Sequence, residues 1–199
     1  MKKKVDFYFD FGSPAAYLAY TQLSKLEEET GASIEWRPIL LGGVFASTGN
    51  VAPITVAAKG RYIFVDFNRF AQEYEVVLNT NPFFPINTVN LMRMACALQD
   101  KNSQDFLPFV KSVFEAIWIN SLNMSDSSIV TEFLRLKGFD ADDLMTLASE
   151  VRVKELLKNL TNEAVERGVF GAPTFFVGEQ MFWGQDRIAF VRRAIQAAV

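Results

Sequence analysis

Val5-Asp6-Phe7-Tyr8-Phe9-Asp10-Phe11 sets Val and Phe on alternate positions, the period of a strand, and Gly12-Ser13-Pro14 stops it abruptly. Beyond the break the period lengthens. Tyr17, Leu18, Leu23 and Leu26 fall near helical spacing between Pro14 and Thr30, and Gly31 follows as a stop signal. Ser33-Ile34-Glu35-Trp36-Arg37 then reads as a second strand ended by Pro38. A strand, a helix and a strand in so short a span predict a parallel pair joined by a right-handed crossover.

The other end of the chain carries a complementary pattern. Pro173 to Val177 reads as a strand, Gly178-Glu179-Gln180 as a turn, and Met181-Phe182-Trp183 as a second strand. Asp186 to Val199 reads as a closing helix with Ile188, Val191 and Ile195 on one face. A βαβ opening and a ββα ending together have the order of the thioredoxin fold. Between them, apolar residues recur at helical spacing over 57–74, 88–99, 105–119, 129–136 and 151–166. Asp126 reads as an N-cap and Gly138 as a C-terminal stop. Gly42-Gly43 and Gly49-Asn50 read as turn chemistry in the loop that leaves the second strand. The expected fold class is α/β, a thioredoxin-like domain with a large all-helical insertion. Residues 1–40 and 168–199 would form the thioredoxin-like domain together with parts of the flanking helices, and 41–167 the inserted helical domain.

Composition removes several chemistries. Among 199 residues there is no histidine and one cysteine, Cys96. A Ser-His-Asp triad, a Cys-His pair, a His-containing zinc site and a Cys-x-x-Cys redox pair are all excluded. Reactions must therefore use hydroxyls, carboxylates, lysines, backbone dipoles or a reagent that arrives with a ligand. A net charge of −3 gives no electrostatic footprint for nucleic acid or an anionic membrane. The apolar stretch after Met1 is too short for a secretory signal, and no run is long enough to span a bilayer. The ending Gln196-Ala197-Ala198-Val199 is not a peroxisomal address, so the cytoplasm is the expected compartment.

Ser13 is the leading candidate for chemistry. Before Pro14 it can simply cap a helix. In a thioredoxin-like fold, however, the reactive cysteine occupies this strand-to-helix junction, where backbone N–H groups and the helix dipole stabilise a thiolate. Here Ser13-Pro14-Ala15-Ala16 stands in place of Cys-x-x-Cys. A site shaped for a thiolate but lacking a thiol suggests that the sulfur comes with a ligand, and glutathione is the common soluble thiol. A hydroxyl can donate to that sulfur and favour its charged form. Gly171-Ala172-Pro173-Thr174 is either helix-to-strand punctuation or the loop that faces the reactive junction. Asp186 can serve the last helix as a first-turn acid or grip an ammonium group. Lys59 and Arg61 read as a solvated helix edge, the usual fate of such charges. Phe45 and Phe84 can line a cleft or fill the core, Cys96 reads as a buried small hydrophobe, and Asp66 and Arg93 read as interior charges of unknown role.

Asp10-Phe11-Gly12-Ser13-Pro14, Arg37-Pro38, Leu41-Gly42-Gly43, Gly49-Asn50, Lys59 with Tyr62, Phe84-Pro85-Ile86-Asn87-Thr88, Val169 to Phe175, and Phe182-Trp183-Gly184-Gln185-Asp186-Arg187 occur in order from one end of the chain to the other. In this the sequence resembles the 2-hydroxychromene-2-carboxylate isomerases and kappa-class glutathione transferases of the thioredoxin-like superfamily. The resemblance implies a homodimeric enzyme with a glutathione site in the cleft between the two domains, and a small aromatic or electrophilic substrate. Ser13 would activate the glutathione sulfur, and Asn50 and Lys59 would contact glutathione from the helical side. Ala172, with a cis Pro173 behind it, would bind through its backbone, and Gln185 with Asp186 would hold the γ-glutamyl end. The leading activity is an isomerase that uses glutathione as an unconsumed cofactor. A glutathione transferase or peroxidase is the alternative, and a non-catalytic thioredoxin-like module the third. Two departures stand out: Ala46 where many relatives carry lysine, and Ala57 where proline is frequent.

Overall fold

A computed structural model of the chain describes residues 3–197. The elements run β1 (Lys4–Phe9), α1 (Pro14–Thr21), α2 (Leu23–Thr30), β2 (Ser33–Pro38), α3 (Leu41–Thr48), α4 (Ala57–Glu73), α5 (Val89–Asp100), α6 (Phe106–Trp118), α7 (Ser127–Leu136), α8 (Ala141–Ser149), α9 (Val151–Glu166), β3 (Thr174–Val177), β4 (Gln180–Trp183) and α10 (Ile188–Ala197). The four strands form one sheet in the order β2-β1-β3-β4. β1 and β2 are parallel, and β3 runs antiparallel to β1 and to β4. This is the thioredoxin-like arrangement, with only helices between β2 and β3. None of the described helices is long and apolar enough to cross a membrane.

The alternation of β1 builds two different interfaces. Phe7 and Phe9 face one side and meet Trp36 of β2 edge-on, with ring centroids at 5.5 and 5.7 Å. Phe175 of β3 lies 5.2 Å from Phe7, and Phe114 of α6 lies 6.0 Å from Phe9. These rings anchor the main core, which continues into α5, α6 and α10. Tyr8 faces the other side and packs with Phe176, Val44 of α3 and Ala164 of α9. Just after α9, Arg167 ties this face together. Its guanidinium donates to Asp6 Oδ2 at 2.7 Å and to the Tyr8 hydroxyl at 3.0 Å, and it stacks on the Phe176 ring at 3.8 Å.

Three local departures from the sequence reading have identifiable causes. The helix expected from Pro14 to Thr30 is two helices, broken at Gln22. Thr21 Oγ1 donates back to the Leu18 carbonyl at 2.7 Å and competes with the helical ladder there. The glycine-rich loop after β2 is instead α3. Leu41 N–H donates to Asp10 Oδ2 and Leu40 N–H to Thr161 Oγ1, and Gly43 leaves room for Thr161, whose methyl would sit 3.2 Å from an added Cβ. Tertiary partners thus override the low helix propensity of Gly42-Gly43. α8 was not anticipated, although Asp140 caps it by accepting from Asp143 N–H. The expected capping by Asp126 is present, and Gly138 takes the positive φ of a helix stop. The closing helix begins after a short turn over Gln185–Arg187, and the expected extension to Val199 lies outside the described residues.

Candidate functional site

β1 ends at Phe9, and the chain turns so that Ser13 N–H donates to the Asp10 carbonyl at 3.1 Å. Ser13 itself is extended and is the N-cap of α1. Its hydroxyl accepts from Ala16 N–H at 3.1 Å and donates to the Ala172 carbonyl at 2.8 Å. The single hydroxyl proton is thus directed at the loop before β3. One lone pair serves the helix and the other is free. To donate to anything else, the hydroxyl must rotate away from Ala172 while keeping its bond from Ala16.

The turn is held from beneath by Asp10. Its carboxyl is buried and accepts from Gly12 N–H at 2.9 Å, Leu41 N–H at 2.8 Å and Thr88 Oγ1 at 2.6 Å. Burial pushes its pKa up, and these three donors pull part of the way back. One side chain therefore fixes the Ser13 turn, the start of α3 and the start of α5 against one another.

Above Ser13 opens a cavity of about 180 Å³. Its mainly apolar lining includes Phe45, Ile63, Phe64, Phe84 and Trp183, with the polar side chains of Ser13 and Asn50. Asn50 Nδ2 donates to the Phe170 carbonyl at 2.8 Å, which fastens the loop after α3 to the segment before Ala172. Trp183 packs on Phe170 with centroids 5.0 Å apart, and its indole lies over Gly171, where an added Cβ would stand 2.6 Å from Nε1. A wider hollow of about 920 Å³ between β2 and α6, walled by Trp36 and Phe106, contains none of the candidate site residues.

Ser13, Asn50 and Ala172 therefore meet around one cavity, and Phe45 and Phe84 belong to its wall. Pro173 follows Ala172 through a cis peptide and accepts from Gly184 N–H at 3.0 Å. The turn carrying Gln185 and Asp186 packs against α1. Gln185 is buried, and its carbonyl accepts from the Tyr74 hydroxyl at 3.0 Å. Asp186 Oδ2 pairs with Arg187 at 2.6 Å. Gly184 before it has φ +109, and its lack of Cβ admits the Asp186 carboxylate, whose Oδ1 would otherwise lie 2.6 Å away. Lys59 is exposed on α4, one turn before Ile63, and does not line the cavity. Asp66 and Arg93, read as interior charges, are instead partly exposed and bond to Arg69 and Asn90 on their own helices. Cys96 is buried in α5, and burial pushes its thiol up to about 12.

Sequence reasoning gave Asp10 and Trp183 no role, although both fall in motifs quoted above, and missed Tyr74 altogether. An acid closing an otherwise aromatic strand was the available signal for Asp10. Trp183 carried only its place in the motif and Tyr74 carried none, because their relation to the site exists only once α4 and β4 are folded beside it. Burial raises the Tyr74 pKa, and the Asp186 charge adds to the rise.

A DSBA-like thioredoxin domain matches residues 4–196. At 34% identity, covering 96% of this chain and 97% of the relative, the sequence is similar to a 2-hydroxychromene-2-carboxylate isomerase of Sphingobium xenophagum. It is 25% identical to glutathione S-transferase kappa 1 of Caenorhabditis elegans, covering 97% and 91%. The solved structure of a 2-hydroxychromene-2-carboxylate isomerase superposes with a TM-score of 0.85 at 30% identity, covering 97% and 94%. The fold and the junction site thus define a DSBA-like thioredoxin domain protein without its cysteine pair. Within that class the chain belongs to the family of 2-hydroxychromene-2-carboxylate isomerases and kappa-class glutathione transferases. It is an enzyme, isomerase or transferase.

Proposed function

We propose that the protein is a glutathione-dependent isomerase of the 2-hydroxychromene-2-carboxylate isomerase type, acting on a conjugated aromatic substrate. The observation that carries this reading is the Ser13 hydroxyl at the start of α1, 2.8 Å from the Ala172 carbonyl and open to an apolar cavity. The chain's own thiol is buried elsewhere, in α5. The residues around Ser13 suit a thiol-bearing peptide: a rotatable hydroxyl, a backbone edge at Ala172 and a carboxylate at Asp186. When bound, glutathione supplies a sulfur whose bond to the substrate forms and later breaks, returning the electron pair to sulfur with no net consumption.

The chain's part is to charge and orient that sulfur. Ser13 turns its proton from Ala172 toward the sulfur and, with the positive end of the α1 dipole, favours the anion. Ala172 and Pro173 align the cysteinyl portion along the loop before β3. Asn50 holds it from the end of α3, and Lys59, exposed on α4 outside the cavity, meets only the part of the ligand that faces solvent. Gln185 and Asp186 hold the γ-glutamyl end, with Asp186 exchanging Arg187 for the ligand's ammonium group. The thioredoxin-like part would comprise 1–40 and 168–199 and the inserted helical part 41–167, in a cytoplasmic homodimer.

Calorimetric titration with reduced glutathione tests the binding step, and chromatography of a turnover mixture tests the class. The expected result is binding, followed by many substrate turnovers per glutathione with the thiol recovered. Glutathione conjugates formed in step with substrate loss would make the enzyme a transferase, the second reading raised by the kappa-class relatives. No binding would refute both.

A further inference from the structure

The wider hollow between β2 and α6 shares no lining residue with the cavity above Ser13. Tyr20, Trp36 and Phe106 are the aromatic part of its lining, with the Trp36 ring 6.1 Å from each of the other two. Leu107 continues the apolar surface and is 51% exposed. β2 is an edge strand of the sheet, but side chains already cover that edge. Ile34 N–H donates to Glu27 Oε1 at 3.0 Å, and Gln99 Nε2 donates to the Trp36 carbonyl at 2.6 Å. A further strand would have to displace both, so the hollow suits a small molecule better than a chain. Its charges are unequally matched. Glu35 pairs with Lys4 at 2.9 Å, and Lys111 is exposed and leans on Glu115 at 3.9 Å. Glu27 is partly buried, and among the described residues no lysine or arginine pairs with it. Burial and the nearby Glu115 charge push the Tyr20 hydroxyl up to about 12, so it stays neutral in a region of negative potential.

We infer that this hollow is a second ligand site and that it takes an arylalkyl ammonium compound, its ring against Trp36 and Tyr20 and its ammonium group on Glu27. Partly buried aromatic side chains offer contact area to a flat ring, and they also attract a cation held close to them. A carboxylate that is partly desolvated, fixed by a backbone N–H and without a cation of its own gains more from an ammonium group than an exposed ion pair does. An aryl carboxylate would meet the same rings but face Glu27 and Glu115 with like charge. The inference uses none of the residues assigned to glutathione and stands apart from that reading.

Tryptamine and indole-3-propionate test it as a matched pair, since they share the indole and a two-carbon arm and differ in an ammonium group against a carboxylate. Calorimetric titration of the full chain at pH 7 reads both dissociation constants. Tryptamine is expected to bind at least about tenfold tighter. Glu27→Gln keeps an acceptor for Ile34 N–H and should weaken tryptamine by about tenfold, with indole-3-propionate bound no more weakly than before. Leu107→Ser changes an exposed side chain and leaves the core intact, and it should weaken tryptamine by about threefold. It decides the matter even if the Glu27 variant fails to fold. Equal or tighter binding of indole-3-propionate by the wild-type protein, no binding of tryptamine, or tryptamine binding unmoved by either substitution would overturn the inference. Displacement of tryptamine by glutathione would place it at Ser13 and overturn the inference as well.

Discussion

The Ser13 hydroxyl donates to the Ala172 carbonyl at 2.8 Å while accepting from Ala16 N–H at 3.1 Å, so one atom joins the start of α1 to the loop before β3. Ser13→Ala removes a helix cap and leaves the Ala172 carbonyl without this donor. The expected loss is about 1–2 kcal/mol of stability, or a melting point lower by about 2–8 °C. Thermal denaturation of the two proteins checks it. Equal melting points would mean that the bond seen between these residues contributes nothing.

Gly171→Ala tests the seat of Trp183. The new methyl group would stand 2.6 Å from Nε1, so the indole must swing outward. Because Trp183 is half-exposed, stability should fall by no more than about 1–2 kcal/mol. Tryptophan emission should shift toward the red, and KM for the substrate should rise several-fold. An unchanged spectrum with an unchanged KM would show that Trp183 does not shape the cavity.

Asp6 provides a pH signature on the opposite sheet face. Burial pushes its pKa up, but the hydrogen bonds and charges of Arg167 and Arg37 outweigh this and leave it below the usual value. A depressed folded-state pKa means stability present above the unfolded value of about 3.9 and lost as pH falls through the folded value. Asp6→Asn should therefore cost about 1–2 kcal/mol at pH 7, with the gap to wild type closing in acid. Urea denaturation across that range measures it. A gap independent of pH would contradict the pairing.

Cys96 should be inert. Its thiol, pushed up to about 12 by burial in α5, stays neutral at pH 7 and reacts with alkylating agents only when the helix opens. Cys96→Ser should cost about 1 kcal/mol for the buried hydroxyl and leave glutathione-dependent turnover intact. A folded but inactive Cys96→Ser protein would refute the assignment of the sulfur to glutathione.

Where periodicity and local chemistry acted together, the sequence was informative. The β1 alternation, the Gly12-Ser13-Pro14 break and the ββα ending are short-range patterns, and they located Ser13 at the strand-to-helix junction before any packing was known. Asn50 could be matched to a motif, but its bond to the Phe170 carbonyl joins residues far apart in the chain and has no local signature. α3 failed for the same reason. Gly42-Gly43 argues for a loop, and only Asp10 and Thr161, brought from elsewhere, make it a helix. Asp10 is the clearest case, since its three donors come from the Ser13 turn, the α3 start and the residue before α5. The clash that fixes Gly171 beneath Trp183 is likewise a fact of three dimensions.

Ultraviolet titration of the thiolate of bound glutathione tests the central claim most directly. A hydroxyl at the α1 N-terminus should hold that thiol at about 7 or lower, against about 8.5 in water. Ser13→Ala should raise it by about one unit and lower kcat by about 10²-fold, with the glutathione dissociation constant little changed. A thiol that titrates alike in both proteins, with glutathione bound in each, would reduce Ser13 to a helix cap and contradict the account.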